Sequence, residues 1–206
     1  MSLSSSADTD HQTTADDVNV RYGHQCRQLS AEEVARLESH SSVVSEFRQN
    51  RLEREAKKNW DLFYKRNTNK FFKDRHWTQR EFEELMACEG SAQEDRDMSL
   101  LEVGCGVGNT VWPLIAQKTN FRFYVCDFSP VAIDLFRQNP LFDDKKCTTF
   151  VTDVTEEDAI RRHLGSDVHL DYVSLIFVLS AINPKKMRTA LNNIHQVFKA
   201  IIYGFY

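Results

Sequence analysis

The chain has 206 residues, 41% of them apolar and 11% aromatic, enough for one domain with a packed core and some extra elements. The formal charge of −4 is unevenly spread: Arg48 to Arg80 holds eleven Lys/Arg against four Asp/Glu, a local +7 that leaves −11 elsewhere. Cys26, Cys88, Cys105, Cys126 and Cys147 form no C-x-x-C pair, no apolar run approaches a membrane span and the N-terminus is polar, so disulfide, metal and membrane frameworks are excluded. A soluble protein of the cytoplasm or nucleus with reduced thiols is expected.

Residues 1 to about 25 are rich in Ser, Thr, Asp and His with almost no apolar content, and a disordered tail over 1–28 follows. Ser30-Ala-Glu-Glu33 is a capping-box signature, after which helical periodicity runs through Val34, Leu37, Val44, Phe47, Leu52, Trp60 and Tyr64. One long helix or two, ending near Asn67, is the reading. Trp60, Phe63, Tyr64, Phe71, Phe72 and Trp77 lie within the basic stretch, a mixture of cations and rings that suits phosphates and unstacked bases, although the same rings can pack on a core. Thr78-Gln-Arg-Glu81 starts a short helix carrying Phe82, Leu85 and Met86, and Glu89 to Asp97 is a linker that closes the helical extension, 29–97.

From residue 98 to 206 strand and helix alternate, the mark of a parallel sheet covered on both faces. Expected strands are Ser99–Val103, Phe121–Cys126, Thr148–Thr152 and Tyr172–Ile176. Expected helices are Thr110–Lys118, Pro130–Gln138, Glu156–Leu164 and Pro184–Phe198, with Ser129 capping the second and Asn183-Pro184 starting the last. Such a sheet gathers the residues that follow its strands along one edge, where ligands bind.

At that edge Leu101-Glu-Val-Gly-Cys-Gly-Val-Gly-Asn109 puts glycines at Gly104, Gly106 and Gly108, with Asn109 where a dinucleotide fingerprint would have its third glycine. This spacing favours S-adenosylmethionine over NAD. Asp127, twenty-three positions after Gly104, is expected to accept hydrogen bonds from two ribose hydroxyls. Without a ligand the same residues read as a glycine-rich turn and a capping aspartate. No Asn/Asp-Pro-Pro-aromatic run follows the fourth strand, where Phe177-Val-Leu-Ser-Ala-Ile182 stands instead, which argues against methylation of an exocyclic amine.

Asn59-Trp-Asp-Leu-Phe-Tyr-Lys-Arg66, Phe71-Phe-Lys-Asp-Arg-His-Trp77, the glycine segment, Cys126-Asp-Phe-Ser129 and Leu175-Ile-Phe-Val-Leu-Ser-Ala181 together resemble the transfer-RNA 3-methylcytidine methyltransferases, from about Leu37 to Lys199. The resemblance implies a Rossmann-like, class I methyltransferase α/β sheet with a helical N-terminal extension. It also implies S-adenosylmethionine as cofactor, the cytidine at position 32 of a transfer-RNA anticodon loop as substrate, and leaves open a helper such as an aminoacyl-tRNA synthetase. By motif position it makes Trp60, Tyr64, Gly104, Asp127, Asp153, Val154 and Ile176 cofactor contacts. Beside them, Lys73, Asp74, Arg75 and His76 are candidate RNA contacts, with a salt bridge into the core as the plainer role for this cluster.

Past Phe198-Lys-Ala the residues read as the opening of a fifth strand, where the family continues through Leu-Lys-Pro-Gly and Arg-Asp-Tyr-Gly, so an incomplete sheet is expected. A catalytically silent form that keeps RNA or partner binding, and a methyltransferase for another substrate, remain open on the residues alone.

Overall fold

The computed structural model describes residues 28–39, 44–78, 98–117, 121–198 and 203–205. Residues 1–27 of the expected tail, the expected short helix beyond Thr78 and the expected linker lie outside the described residues. The chain divides into two compact units, residues 1–46 and 47–206. In the first, α1 (Ala31–Ser39) starts as its sequence predicts: the Glu33 N–H donates to Ser30 Oγ at 3.2 Å and the Ser30 N–H to Glu33 Oε2 at 2.9 Å. None of its residues is buried.

Helix α2 (Glu46–Asn67), 22 residues long, lies from Phe47 onward in the second unit and ends where Thr68 turns to a φ of 51°. The single helix-or-two reading thus resolves into two helices, both with the predicted periodicity. The apolar stripe is nevertheless uneven. Tyr64 is buried, whereas Phe47, Leu52 and Leu62 are exposed.

Behind α2 stand five parallel strands, β1 (Met98–Val103), β2 (Phe121–Asp127), β3 (Cys147–Val151), β4 (Tyr172–Ile176) and β5 (Tyr203–Phe205), in the order β3-β2-β1-β4-β5. The order reverses direction between β1 and β4, and there the carboxyl ends leave a crevice. Helices α3 (Val111–Ala116), α4 (Pro130–Arg137), α5 (Arg161–Leu164) and α6 (Pro184–Val197) connect them, with a 3-10 turn at Leu179–Ala181.

Alternation along the strands separates two cores. Leu101, Val103, Val173 and Leu175 join Ile160, Ile194 and Val197, while Leu100, Phe121, Phe123 and Val125 join Leu114, Ile133 and Phe136. Each such side chain withdrawn from water contributes about 1.5–3 kcal/mol. Both expected helix starts form: Ser129 Oγ accepts from the Ala132 N–H at 3.2 Å, and Asn183 Oδ1 from the Lys185 N–H at 3.0 Å, each ahead of a first-turn proline.

The helix expected over Glu156–Leu164 is a correction, because only the turn Arg161–Leu164 is helical. Asn193 of α6 donates through Nδ2 to the carbonyls of Val154 and Glu156, and the Thr152 hydroxyl donates to the Ala159 carbonyl. Those acceptors are therefore held in tertiary bonds, and Asp158 adopts a φ of 54° before the helical turn begins.

Candidate functional site

The β1–α3 turn is shaped by its glycines. Gly104 has a φ of 66°, and a Cβ there would overlap Val178 Cγ2; a Cβ on Gly108 would overlap the Trp112 ring. At Gly106 a Cβ would lie 2.9 Å from the Tyr64 hydroxyl. In the Cβ direction each of these glycines meets a protein side chain, so its smallness serves packing.

Asp127 closes β2 and is 6% exposed. Its Oδ2 accepts from the Gly106 N–H at 3.0 Å and its Oδ1 from the Ser129 N–H at 2.9 Å, so the carboxylate ties the glycine turn to the start of α4. Burial pushes its pKa up to about 6, against the pull of these two amides and with the Asp61 charge adding to the rise.

Sequence reasoning passed over Glu102, the residue before Val103-Gly104. It is 1% exposed at the end of β1, its Oε1 lies 3.5 Å from Arg75 Nη1, and its Oε2 is buried without a hydrogen-bond partner. Burial raises its pKa to about 7, although the Thr110 hydroxyl and Arg75 favour the ionised form and Asp127 opposes it. The signal was present in the sequence: an acid following two leucines near the end of a buried strand is costly unless something cationic or hydrogen-bonding meets it.

Arg75 supplies part of that. Its Nη1 donates to Thr110 Oγ1 at 2.8 Å, and its backbone N–H donates to the Asn109 carbonyl at 2.7 Å. Asn109 Nδ2 in turn donates to the Phe72 carbonyl at 3.1 Å and to Asp74 Oδ1 at 3.2 Å. The basic aromatic block is thus stitched to the end of the glycine turn. Of the candidate RNA contacts, Arg75 points inward with 14% of its side chain exposed, the core salt bridge being its role here, whereas Lys73, Asp74 and His76 are exposed.

Helix α2 lies along the same edge. Glu53 accepts from Asn183 Nδ2 at 3.1 Å and pairs with Lys186 at 2.5 Å, which holds the Glu53 carboxyl below its ordinary range. Asp61 Oδ1 accepts from the Ser129 hydroxyl at 2.5 Å, and Tyr64 packs on Val107 and Ala132 with Trp60 stacked on it, ring centroids 5.9 Å apart. One helix is therefore fastened to the loops after β1, β2 and β4. Further along the edge, Asp153 Oδ1 accepts from the Thr155 N–H at 2.9 Å and hydroxyl at 2.7 Å, while Val154 and Ile176 are buried.

Phe177 follows Ile176, and its place was legible only as part of a segment. Its φ is 60°, the residue is 60% exposed, and the Arg75 guanidinium stands 5.8 Å from the ring centroid. A bulky residue in that conformation costs of order 1–3 kcal/mol. Among the described residues no group of three or more His, Cys, Asp or Glu could hold a metal ion, and no helix is long and apolar enough to cross a membrane.

A parallel sheet reversing between β1 and β4, with a glycine turn after β1 and an acid closing β2, defines the class I methyltransferase domain, and residues 101–200 match the methyltransferase domain family. The human tRNA N(3)-cytidine methyltransferase METTL6 is 50% identical over 179 residues, 87% of this chain and 62% of that protein. The tRNA N(3)-methylcytidine methyltransferase trm141 of Schizosaccharomyces pombe is 42% identical over 158 residues, 77% of this chain and 61% of that one. The chain is thus similar to tRNA N(3)-cytidine methyltransferases, and it spans about three-fifths of the length of these relatives. Among solved structures, the glycopeptide N-methyltransferase MtfA complexed with S-adenosyl-L-methionine aligns with a TM-score of 0.46 and 15% identity, over 63% of this chain and 52% of that one.

Proposed function

We propose that the chain binds S-adenosylmethionine in the crevice between β1 and β4 and transfers its methyl group to N3 of a cytidine in transfer RNA, at position 32 of the anticodon loop. The observation that carries this reading is the pair of buried carboxylates at the crevice: Glu102 Oε2 has no partner, and the Asp127 oxygens, bound by the Gly106 and Ser129 amides, keep acceptor capacity for a ribose hydroxyl. A ligand carrying an ammonium group and two sugar hydroxyls supplies what these acids lack, so the residues present fit the cofactor. Asp127 would hold the ribose, Glu102 the amino-acid end, and Asp153, Val154 and Ile176 the adenine side. Tyr64 and Trp60 would exclude water from above.

Bound there, the cofactor supplies an electrophilic methyl carbon on a sulfonium. Neutral cytosine N3 already has a lone pair, so no residue needs to act as a base before attack, and the acceleration comes from alignment and desolvation. The basic segment from Arg48 to Arg80 would attract the RNA backbone. A helper such as an aminoacyl-tRNA synthetase remains a further partner within this reading.

The test is transfer of a tritium-labelled methyl group to unmodified transfer RNA, followed by nucleoside analysis. Label in 3-methylcytidine is expected; label in another nucleoside ends the substrate assignment.

A further inference from the structure

We propose that Phe177 is the platform on which the target pyrimidine stacks, an inference that rests on the function proposed above. Three described residues other than glycine have a positive φ, namely Thr68, Asp158 and Phe177. Thr68 and Asp158 are short polar residues of exposed turns, where such a backbone is ordinary. Phe177 is neither short nor polar. The fold holds it in a conformation unfavourable for an aromatic residue, yet gains little burial from the ring. Packing does not account for that combination, and strain of this kind gathers where a side chain must be presented to a ligand.

The position supports this. Phe177 is the first residue beyond β4, beside the reversal of strand order where the crevice opens, and it follows the buried Ile176 directly. Arg75 is fixed by Thr110 and Glu102, and its guanidinium against the ring limits how far the ring can turn. An exposed ring held in place is a stacking surface for a base drawn out of an RNA loop.

A π-face also suits the chemistry. As N3 forms its bond to the methyl carbon and the carbon–sulfur bond breaks, the positive charge passes to the pyrimidine ring, which afterwards releases a proton from its exocyclic amine to water. A ring face attracts that growing charge more than it attracts the neutral base, so its contribution falls on turnover more than on binding.

The experiment uses the full 206-residue chain and an anticodon stem-loop with 5-iodocytidine at the target position, cross-linked by ultraviolet light and mapped by mass spectrometry. Phe177 is expected as the cross-linked residue; a cross-link at Phe71, Phe72 or elsewhere overturns the proposal. In parallel, Phe177→Asn keeps a residue that tolerates positive φ and removes the ring. It should lower kcat about tenfold, the ~1.4 kcal/mol of one stacked base, with cofactor affinity by calorimetry within about twofold and Tm unchanged or higher. Phe177→Trp should retain turnover. An unchanged kcat in Phe177→Asn while wild type forms 3-methylcytidine defeats this inference alone, whereas label in a different nucleoside defeats the proposed function and leaves the cross-link to report where the base sits.

Discussion

Replacing Glu102 with Gln tests the electrostatics of the site through folding stability. In the folded chain the Glu102 carboxyl titrates at about 7 instead of its ordinary 4.5. A raised acid pKa lends stability that is fully present below 4.5 and is lost as pH rises through 7, here about 3 kcal/mol at about 1.4 kcal/mol per pH unit. Between pH 5 and pH 8 the share lost is about 2–3 kcal/mol. Asp127, raised from 3.8 to about 6, acts in the same direction and loses about 1 kcal/mol over that window. For a chain of this size the Glu102 share corresponds to a fall in Tm of about 5–10 °C. Thermal unfolding followed by circular dichroism at pH 5 and pH 8, with no ligand, should show this fall in wild type and only the smaller Asp127 part in Glu102→Gln. The slope is the readout, because the variant also alters the contact with Arg75 and shifts both Tm values together. Equal falls in the two proteins, or no fall in wild type, would refute the account of Glu102 as a buried acid short of partners.

The same carboxylates predict that S-adenosylmethionine binds more tightly at pH 8 than at pH 5.5 and releases protons below pH 7, measured by calorimetry in buffers of different ionisation enthalpy. Asp127→Asn should weaken that binding at least tenfold at pH 8 while the chain still folds, as judged by a cooperative melt. Ser129→Ala removes both the α4 cap and the contact to Asp61, and should cost about 1–2 kcal/mol in urea unfolding, at the upper end of what a lost cap alone removes. Affinity for an anticodon stem-loop should fall steeply between about 50 and 200 mM salt, and Lys57→Glu with Lys58→Glu should flatten that dependence in a filter-binding titration.

The sheet was legible because its signals are local and repeated. Alternating apolar residues marked β1 to β4 to within a residue or two, and Ser129-Pro130 and Asn183-Pro184 marked two helix starts that the hydrogen bonds reproduce. Readings failed where a distant group decided the outcome. The helix over Glu156–Leu164 shrank to one turn because Asn193, nearly forty residues on, and Thr152 take the Glu156 and Ala159 carbonyls of its first half. For Arg75 the sequence left an RNA contact and a salt bridge into the core both open, and Glu102 and Thr110, from another part of the chain, draw it inward. Phe177 carried no sequence signal of its own, since its exposure and φ arise from how the chain leaves β4 beside Arg75. The glycines were read for one purpose and serve two, because Val178, Tyr64 and Trp112 are invisible as neighbours until the chain is folded.

Because α2 is pinned at Glu53, Asp61 and Tyr64 to three separate loops, lifting the helix from this edge breaks all three contacts together. In the proposed function, exchange of the cofactor would be coupled to that joint release. Under the proposed function, residence time rather than equilibrium affinity is the quantity these three anchors would control.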